Sequence, residues 1–300
     1  RRADDLVQEQ AEPENYALTV FTAQERKEWE PVIKEVEERT GWNVRVETGS
    51  AKEMLSQLEK EEADWDVAFG VSADALEEGK EYWQTGKDAW TGYSAVSFVI
   101  LYNTNVVTYR ELPTGWDSLL EPRWKGRVAV PDPLKSDMAA SVLTEAAKNS
   151  EKEEFLDLLA ENMQYQMPET FKEVEQGISD GRYSIGVTSE EAAKAMLAAG
   201  QDVDYIDPEE GECFFEDGTA IRKRTPNLDA SEAFVTYTTC DDTKWLLRTQ
   251  LLRQPAEDVS AENDRSDEEL KQRYSRQQEV LNFWKLIMEE KSGSAHEQEQ

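Results

Sequence analysis

The first clear pattern in the chain is an unbroken apolar run, Ala17 to Phe21 (ALTVF), which reads as a buried strand. Trp29, Val32, Ile33 and Val36 then recur at the three- and four-residue spacing of one helix face. Thr22, with Glu25 three residues on, predicts the N-cap and capping box of that helix, and Thr40-Gly41 predicts its stop. Residues Trp42 to Glu47 (WNVRVE) alternate like a second strand. A helix from Ser50 to Lys60 leads to a third strand at Trp65 to Phe69. The order βαβαβ predicts a parallel sheet in a layered α/β lobe.

Beyond it, FVILYNT after Ser97 predicts a strand, Val128 to Val130 another, and Met138 to Lys148 a helix. Helices over roughly 152–162 and 171–179 precede a strand at Tyr183 to Val187 and a helix ending at Gly200. A short strand at Asp204 to Ile206 completes a second α/β lobe. TAIRK after Gly218 predicts a further strand, and Asn227 to Thr239 a helix. Residues 254–269 are polar enough for a linker. Arg273 to Glu290 predicts a last amphipathic helix carrying Val280, Leu281, Phe283, Trp284 and Ile287. The unpatterned first 15 residues predict a flexible leader, and residues 292–300 a flexible tail.

Composition narrows the chemistry. The 300 residues hold 64 acidic and 33 basic side chains, a formal charge of −31, yet also nine Trp, nine Phe and ten Tyr, which argue for a packed core. So acidic a chain is a poor partner for nucleic acid or anionic lipid, both of which are bound through clustered Lys and Arg. The single histidine, His296, sits near the end of the chain, so a histidine base or a histidine-ligated zinc site is not expected, and no cofactor is implied. Cys213 and Cys240 form no CxxC pair; they fit either one disulfide or two small buried hydrophobes. No apolar run reaches the length of a membrane-spanning helix.

Several strands end in small or hydroxyl residues that open a helix: Phe21-Thr22-Ala23, Gly70-Val71-Ser72-Ala73, Lys135-Ser136-Asp137 and Thr188-Ser189-Glu190-Glu191. In open α/β sheets ligands bind beyond the carboxyl ends of strands, and free N–H groups at helix starts favour anions. Each junction also reads as an ordinary helix cap.

The order of these segments resembles the extracytoplasmic solute-binding proteins of ABC importers, in the group that includes ferric-iron, hexose-phosphate and aminoethylphosphonate binders. LTVFTAQERKEWEPVIKEVEERTGWNV is similar to the family's opening strand, FTA loop and helix. ADWDVAFGVSADALEEG, WTGYSAVSFVILYNTNVV and GRYSIGVTSEEAAKAMLAAG match further family segments. PTGWDSLLEPRWKGRVAVPDP is close to a family signature. The match covers roughly residues 17–245.

The resemblance implies a two-lobed, type II periplasmic-binding-protein clamp that closes by a hinge on ligand. It implies crossover strands near Val99 to Asn103 and Glu212 to Thr219. Lobe 1 would then be 16–102 plus 212–253, and lobe 2 would be 103–211 plus 270–291. It also implies a monomeric, non-enzymatic receptor outside the cytoplasm, periplasmic or lipid-anchored, that hands its ligand to an ABC permease or reports it to a sensor kinase.

The ligand-binding candidates on this basis are Phe21, Thr22 and Ala23; Ser72 and Ala73; Trp90, Thr91 and Tyr93, which either line the cleft or pack in the core; Ser136 and Asp137; Thr170; Ser189, Glu190 and Glu191; and Glu210. Departures from the family matter. The paired tyrosines of its iron binders are missing around Asn162 to Gln166, and Pro168 to Lys172 replaces a serine-glycine-serine loop. Asp137 stands where relatives often have glycine. The segment between Gly70 and Trp90 is short, which implies a more open rim. A phosphorylated sugar or an organophosphonate fits best, with a cationic solute such as a polyamine or thiamine, or ferric iron, as the alternative.

Overall fold

The computed structural model describes residues 15–86, 88–259 and 265–298. The expected leader therefore lies outside the described residues but for its last position, as do residues 260–264 of the expected linker. The first half alternates β1 (Leu18–Thr22), α1 (Arg26–Thr40), β2 (Val44–Thr48), α2 (Ala51–Glu59), β3 (Val67–Ser72) and α3 (Ala73–Glu78). β1 runs parallel between β2 and β3, as the βαβαβ pattern requires. Gly41 ends α1 in the left-handed region at φ 72°, and its N–H closes the last turn on the Glu37 carbonyl.

One expected cap moves. Thr22 is the last residue of β1 rather than the cap of α1. Its hydroxyl accepts from the Gln24 N–H, and Glu25 caps α1 with Glu28 Oε2 accepting from the Glu25 N–H. The strand wins Thr22 because five residues of β1 pair in register with β2, ending at Thr22–Thr48.

β4 (Thr91–Asn103) is the longest strand and begins well before the segment that periodicity marked. After β5 (Val128–Ala129) come α4 (Asp137–Asn149), α5 (Phe155–Asn162), α6 (Phe171–Ser179), β6 (Ile185–Ser189), α7 (Glu190–Ala198) and β7 (Val203–Ile206). β8 (Cys213–Ile221) then returns antiparallel to both β3 and β4. α8 (Leu228–Thr238), α9 (Asp241–Leu246), β9 (Gln254–Pro255), α10 (Ala256–Val259) and α11 (Asp267–Gln298) complete the described chain.

β4 and β8 are the two strands shared by both halves. β4 pairs with β8 through Phe98 and with β6 from Phe98 onward, so it changes partners just upstream of the expected Val99–Asn103. Its alternation serves two cores: Phe98, Ile100 and Tyr102 face one cluster with Trp116 and Trp284, while Val99 and Leu101 face another with Val174 and Ile178. The first half buries Val20, Val36 and Phe69 on one side of its sheet and Trp65, Leu76 and Trp83 on the other.

α11 departs most from expectation. It takes in residues 267–269 of the expected linker and 292–298 of the expected tail. It also touches both halves: Tyr274 packs against the first half's core, and Trp284 and Ile287 belong to the second half's. Lys80 holds Asp267 at 2.7 Å, adding a bond from the first half to the helix start. Cys213 is buried, Cys240 is half-buried, and both are free thiols.

Candidate functional site

A cleft of about 330 Å³ opens between the halves beside the shared strands. From the first half it receives Ala23, Gln24, Glu25, Lys27 and Glu28 around the start of α1, with Gly70 behind them. From the second it receives Lys135, Ser136 and Asp137 at the start of α4, Phe171 and Lys172 at the start of α6, and Ser189 at the start of α7. Arg253 and Met138 close its base. Gly70 is at φ 64°, and a Cβ there would lie 2.4 Å from the Gln24 side chain, so only glycine fits this approach.

Each helix start is built by its own sequence. Ser136 Oγ accepts from the Ala139 N–H, Thr170 Oγ1 from Glu173, and Ser189 Oγ from Ala192. Such caps satisfy one donor and leave other first-turn N–H groups facing outward. Four helices of nine residues or more thus direct their positive ends toward one space.

Four carboxylates interleave with the cations. Asp137 is half-buried, accepts from the Ala51 N–H at 3.0 Å across the cleft, and has its pKa pushed up to about 6, chiefly by burial. Glu175 is also raised by burial, although Thr188 Oγ1 donates to it at 2.8 Å. Lys172 and Lys27 remain largely exposed, 4.0 Å from Glu175 and 3.2 Å from Glu25 respectively. Gln24 donates to Asp217 at 3.0 Å, while its buried Oε1 has no partner. That leaves an acceptor at the cleft wall for a ligand hydroxyl or amine.

Arg253 ties the floor together. It is 3% exposed, and its Nη1 donates to Asp217 Oδ2 at 2.7 Å and Ser94 Oγ at 2.9 Å. Its Nη2 donates to Glu28 Oε1 at 2.8 Å and lies 3.0 Å from Met138 Sδ. One side chain therefore joins α1, both crossover strands and α4.

Of the sequence candidates, Ala23, Ser136, Asp137 and Ser189 come together at the cleft, with Thr170 capping the helix beside them. The others lie elsewhere. Phe21 is in the core, its ring 5.6 Å from Trp65, and Thr22 is buried behind Ala23. Ser72 and Ala73 are buried at the start of the short α3. Trp90 donates to Glu77 at 3.0 Å and Thr91 pairs with Thr219 in the sheet. Tyr93 packs 4.7 Å from Phe69, its hydroxyl pKa raised mainly by burial. Glu190 pairs with Lys194, and Glu191 accepts from Gln254 at 3.3 Å. Glu210 accepts from the Trp116 and Asp117 N–H groups, capping a turn of the second half.

Sequence reading missed Gln24, Lys27, Lys135, Lys172, Glu175 and Arg253. Gln24 and Lys135 lie one residue from the marked Ala23 and Ser136, and Lys172 two from Thr170, so a wider search around those helix starts would have found these three. Lys27 and Glu175 lie four and five residues past Ala23 and Thr170, inside their helices. Arg253 lies in LLRQP and carries no local signal.

Residues 69–278 match the model of a family described as bacterial extracellular solute-binding protein, and the chain belongs to that family. The family binds small solutes and works with a membrane transporter. The fold is similar to the ferric binding protein from Campylobacter jejuni, at 16% identity and TM-score 0.71, covering 89% of this chain and 99% of that one. It is similar to AfuA from Actinobacillus pleuropneumoniae, solved with exogenous fructose-6-phosphate bound, at 14% identity and TM-score 0.74, covering 91% and 98%. A protein described as mediating two-component signal transduction follows at 20% identity and TM-score 0.65, covering 86% and 92%. No curated protein matches the chain. These neighbours fix the two-lobed architecture, and the Campylobacter jejuni protein and AfuA are described as binding proteins. No helix among the described residues is long and apolar enough to cross a membrane.

Proposed function

We propose that this chain is the receptor of an ABC importer for a small solute with an oxyanion at one end and hydroxyl or amine groups at the other. A phosphorylated sugar or an organophosphonate meets that description. The observation that carries the reading is the convergence of the starts of α1, α4, α6 and α7 on one cleft that also holds Lys27, Lys135, Lys172 and Arg253. The hydroxyl or amine end would meet Gln24 Oε1, Asp137 and Glu175. Among the described residues no tyrosine lines the cleft, and no three His, Cys, Asp or Glu side chains group as a metal site, so paired-phenolate iron binding finds no support here. The receptor would act as a monomer outside the cytoplasm, free in the periplasm or lipid-anchored.

A thermal-shift screen of sugar phosphates, phosphonates, polyamines, thiamine and ferric salts tests this reading. A ligand at one hundred times its Kd adds about 2.7 kcal/mol of stability. Hits among phosphate esters or phosphonates are expected; hits confined to cations would transfer the site's chemistry to its carboxylates. The likeness to a two-component protein keeps a second partner in view, a membrane sensor kinase reading the closed clamp. Neighbouring permease and ATPase genes would favour import, and a kinase gene sensing.

A further inference from the structure

A second polar cavity, of about 170 Å³, lies away from the cleft between α4 and the first turns of α11, and shares no lining residue with it. Its wall carries Lys148, Arg265, Arg273 and Arg276 against Glu145 and Glu269. Four cations around one small space is an unexpected concentration in a chain with about twice as many acidic as basic residues.

The two carboxylates do not use up this charge. Glu269 accepts from the Ser266 N–H at 2.8 Å as a helix cap. Glu145 is shared between Arg273 at 3.3 Å and Arg276 at 3.8 Å. Two guanidinium donors nevertheless stay buried without an acceptor, Arg265 Nη1 and Arg276 Nε, while Arg273 Nε faces Glu145 Oε1 at 3.3 Å without hydrogen-bond geometry. Buried donors left unpaired are costly, and arginine N–H groups match tetrahedral and carboxylate oxyanions in geometry and charge. Arg273 is itself 4% exposed, fixed by Nη2 bonds to Ser141 Oγ and the Phe214 carbonyl, so one wall of the cavity is rigid.

We propose that this cavity is a second binding site, distinct from the solute cleft, for a small oxyanion of the sulfate or phosphate class. The anion accepts from Arg265, Arg273 and Arg276, with Lys148 adding charge at the mouth. Bound there, it fastens α11 to α4 beside Phe214 of the crossover strand β8.

Selenate serves as the probe, because selenium can be located by its anomalous scattering. Crystals soaked in selenate should show a selenium peak in this cavity. In solution, sulfate should raise Tm beyond an ionic-strength-matched chloride control. The half-saturating concentration should rise about tenfold or more in the double variant K148Q/R276Q, whose altered side chains are exposed or half-exposed and leave Arg273 in place. The cleft variant K27Q/K172Q should keep the wild-type response, which separates this site from the solute cleft. A selenium peak only in the cleft, no peak at all, or an unchanged sulfate response in K148Q/R276Q would each overturn the proposal.

Discussion

Replacing Arg253 with methionine is expected to destabilise the protein by about 3–5 kcal/mol, the range seen when one partner of a buried ion pair is removed. Asp217 is fully buried, and burial raises its pKa even with the arginine present. Without Arg253 the carboxylate keeps only its Ser94 and Gln24 donors. Methionine preserves much of the side-chain volume, so the loss reports charge rather than a cavity. Adding D217N should recover a large part of it, because the orphaned charge is then gone. Urea unfolding of the two single variants and the double measures this. Strict additivity would mean that the pair does not organise the cleft floor.

Asp137 should give the opposite sign for stability and for binding. Its pKa is raised from the usual carboxylate range to about 6, so the folded protein holds a proton that the unfolded chain has already lost between about pH 4 and 6. Stability from this group is present below that window and lost as pH rises through it. The full shift is worth about 3 kcal/mol; with the side chain half-buried, about 2 kcal/mol is the expected effect. D137N keeps an oxygen for the Ala51 N–H while removing the charge, so it should be about 2 kcal/mol more stable than wild type at pH 7.5 and nearly equal at pH 4. It should also bind the solute more weakly, since a charge kept in a cleft at a cost in stability marks a ligand contact. Unfolding and ligand titration of both proteins at the two pH values check this. Equal stability profiles would remove Asp137 from the account.

The sequence made the elements legible where one physical signal dominated. Apolar spacing marked α1 through Trp29, Val32, Ile33 and Val36, and an apolar run marked β1. The family resemblance supplied what periodicity lacks, the order of lobes and the existence of crossover strands. β4 was only half visible, because Thr91–Ser97, where the strand pairs with β8 and β9, mixes glycine, serine and tyrosine. The full length of α11 was hidden because its last turns are polar and lack an apolar stripe.

The site was read more coarsely than the fold. Helix-cap chemistry located Ser136 and Ser189, since capping is written locally in a hydroxyl followed by a helical pattern, while Thr170 entered through the family resemblance. The same rule also selected Ser72, because a cap looks the same whether its helix faces a cleft or the interior. The family resemblance added Glu210, which caps a turn of the second half instead. Arg253 depends on residues from positions 28, 94, 138 and 217 meeting at one point, which only the folded chain brings about.

The most direct test of the central claim is calorimetric titration with one sugar in two forms, phosphorylated and free, against wild type and K27Q/K172Q. The account predicts tight binding of the phosphorylated form, at least about a hundredfold weaker binding of the free sugar, and weakened binding of the phosphorylated form by the double variant. Equal affinity for both forms, or a phosphorylated sugar bound as tightly by the variant as by wild type, would contradict it.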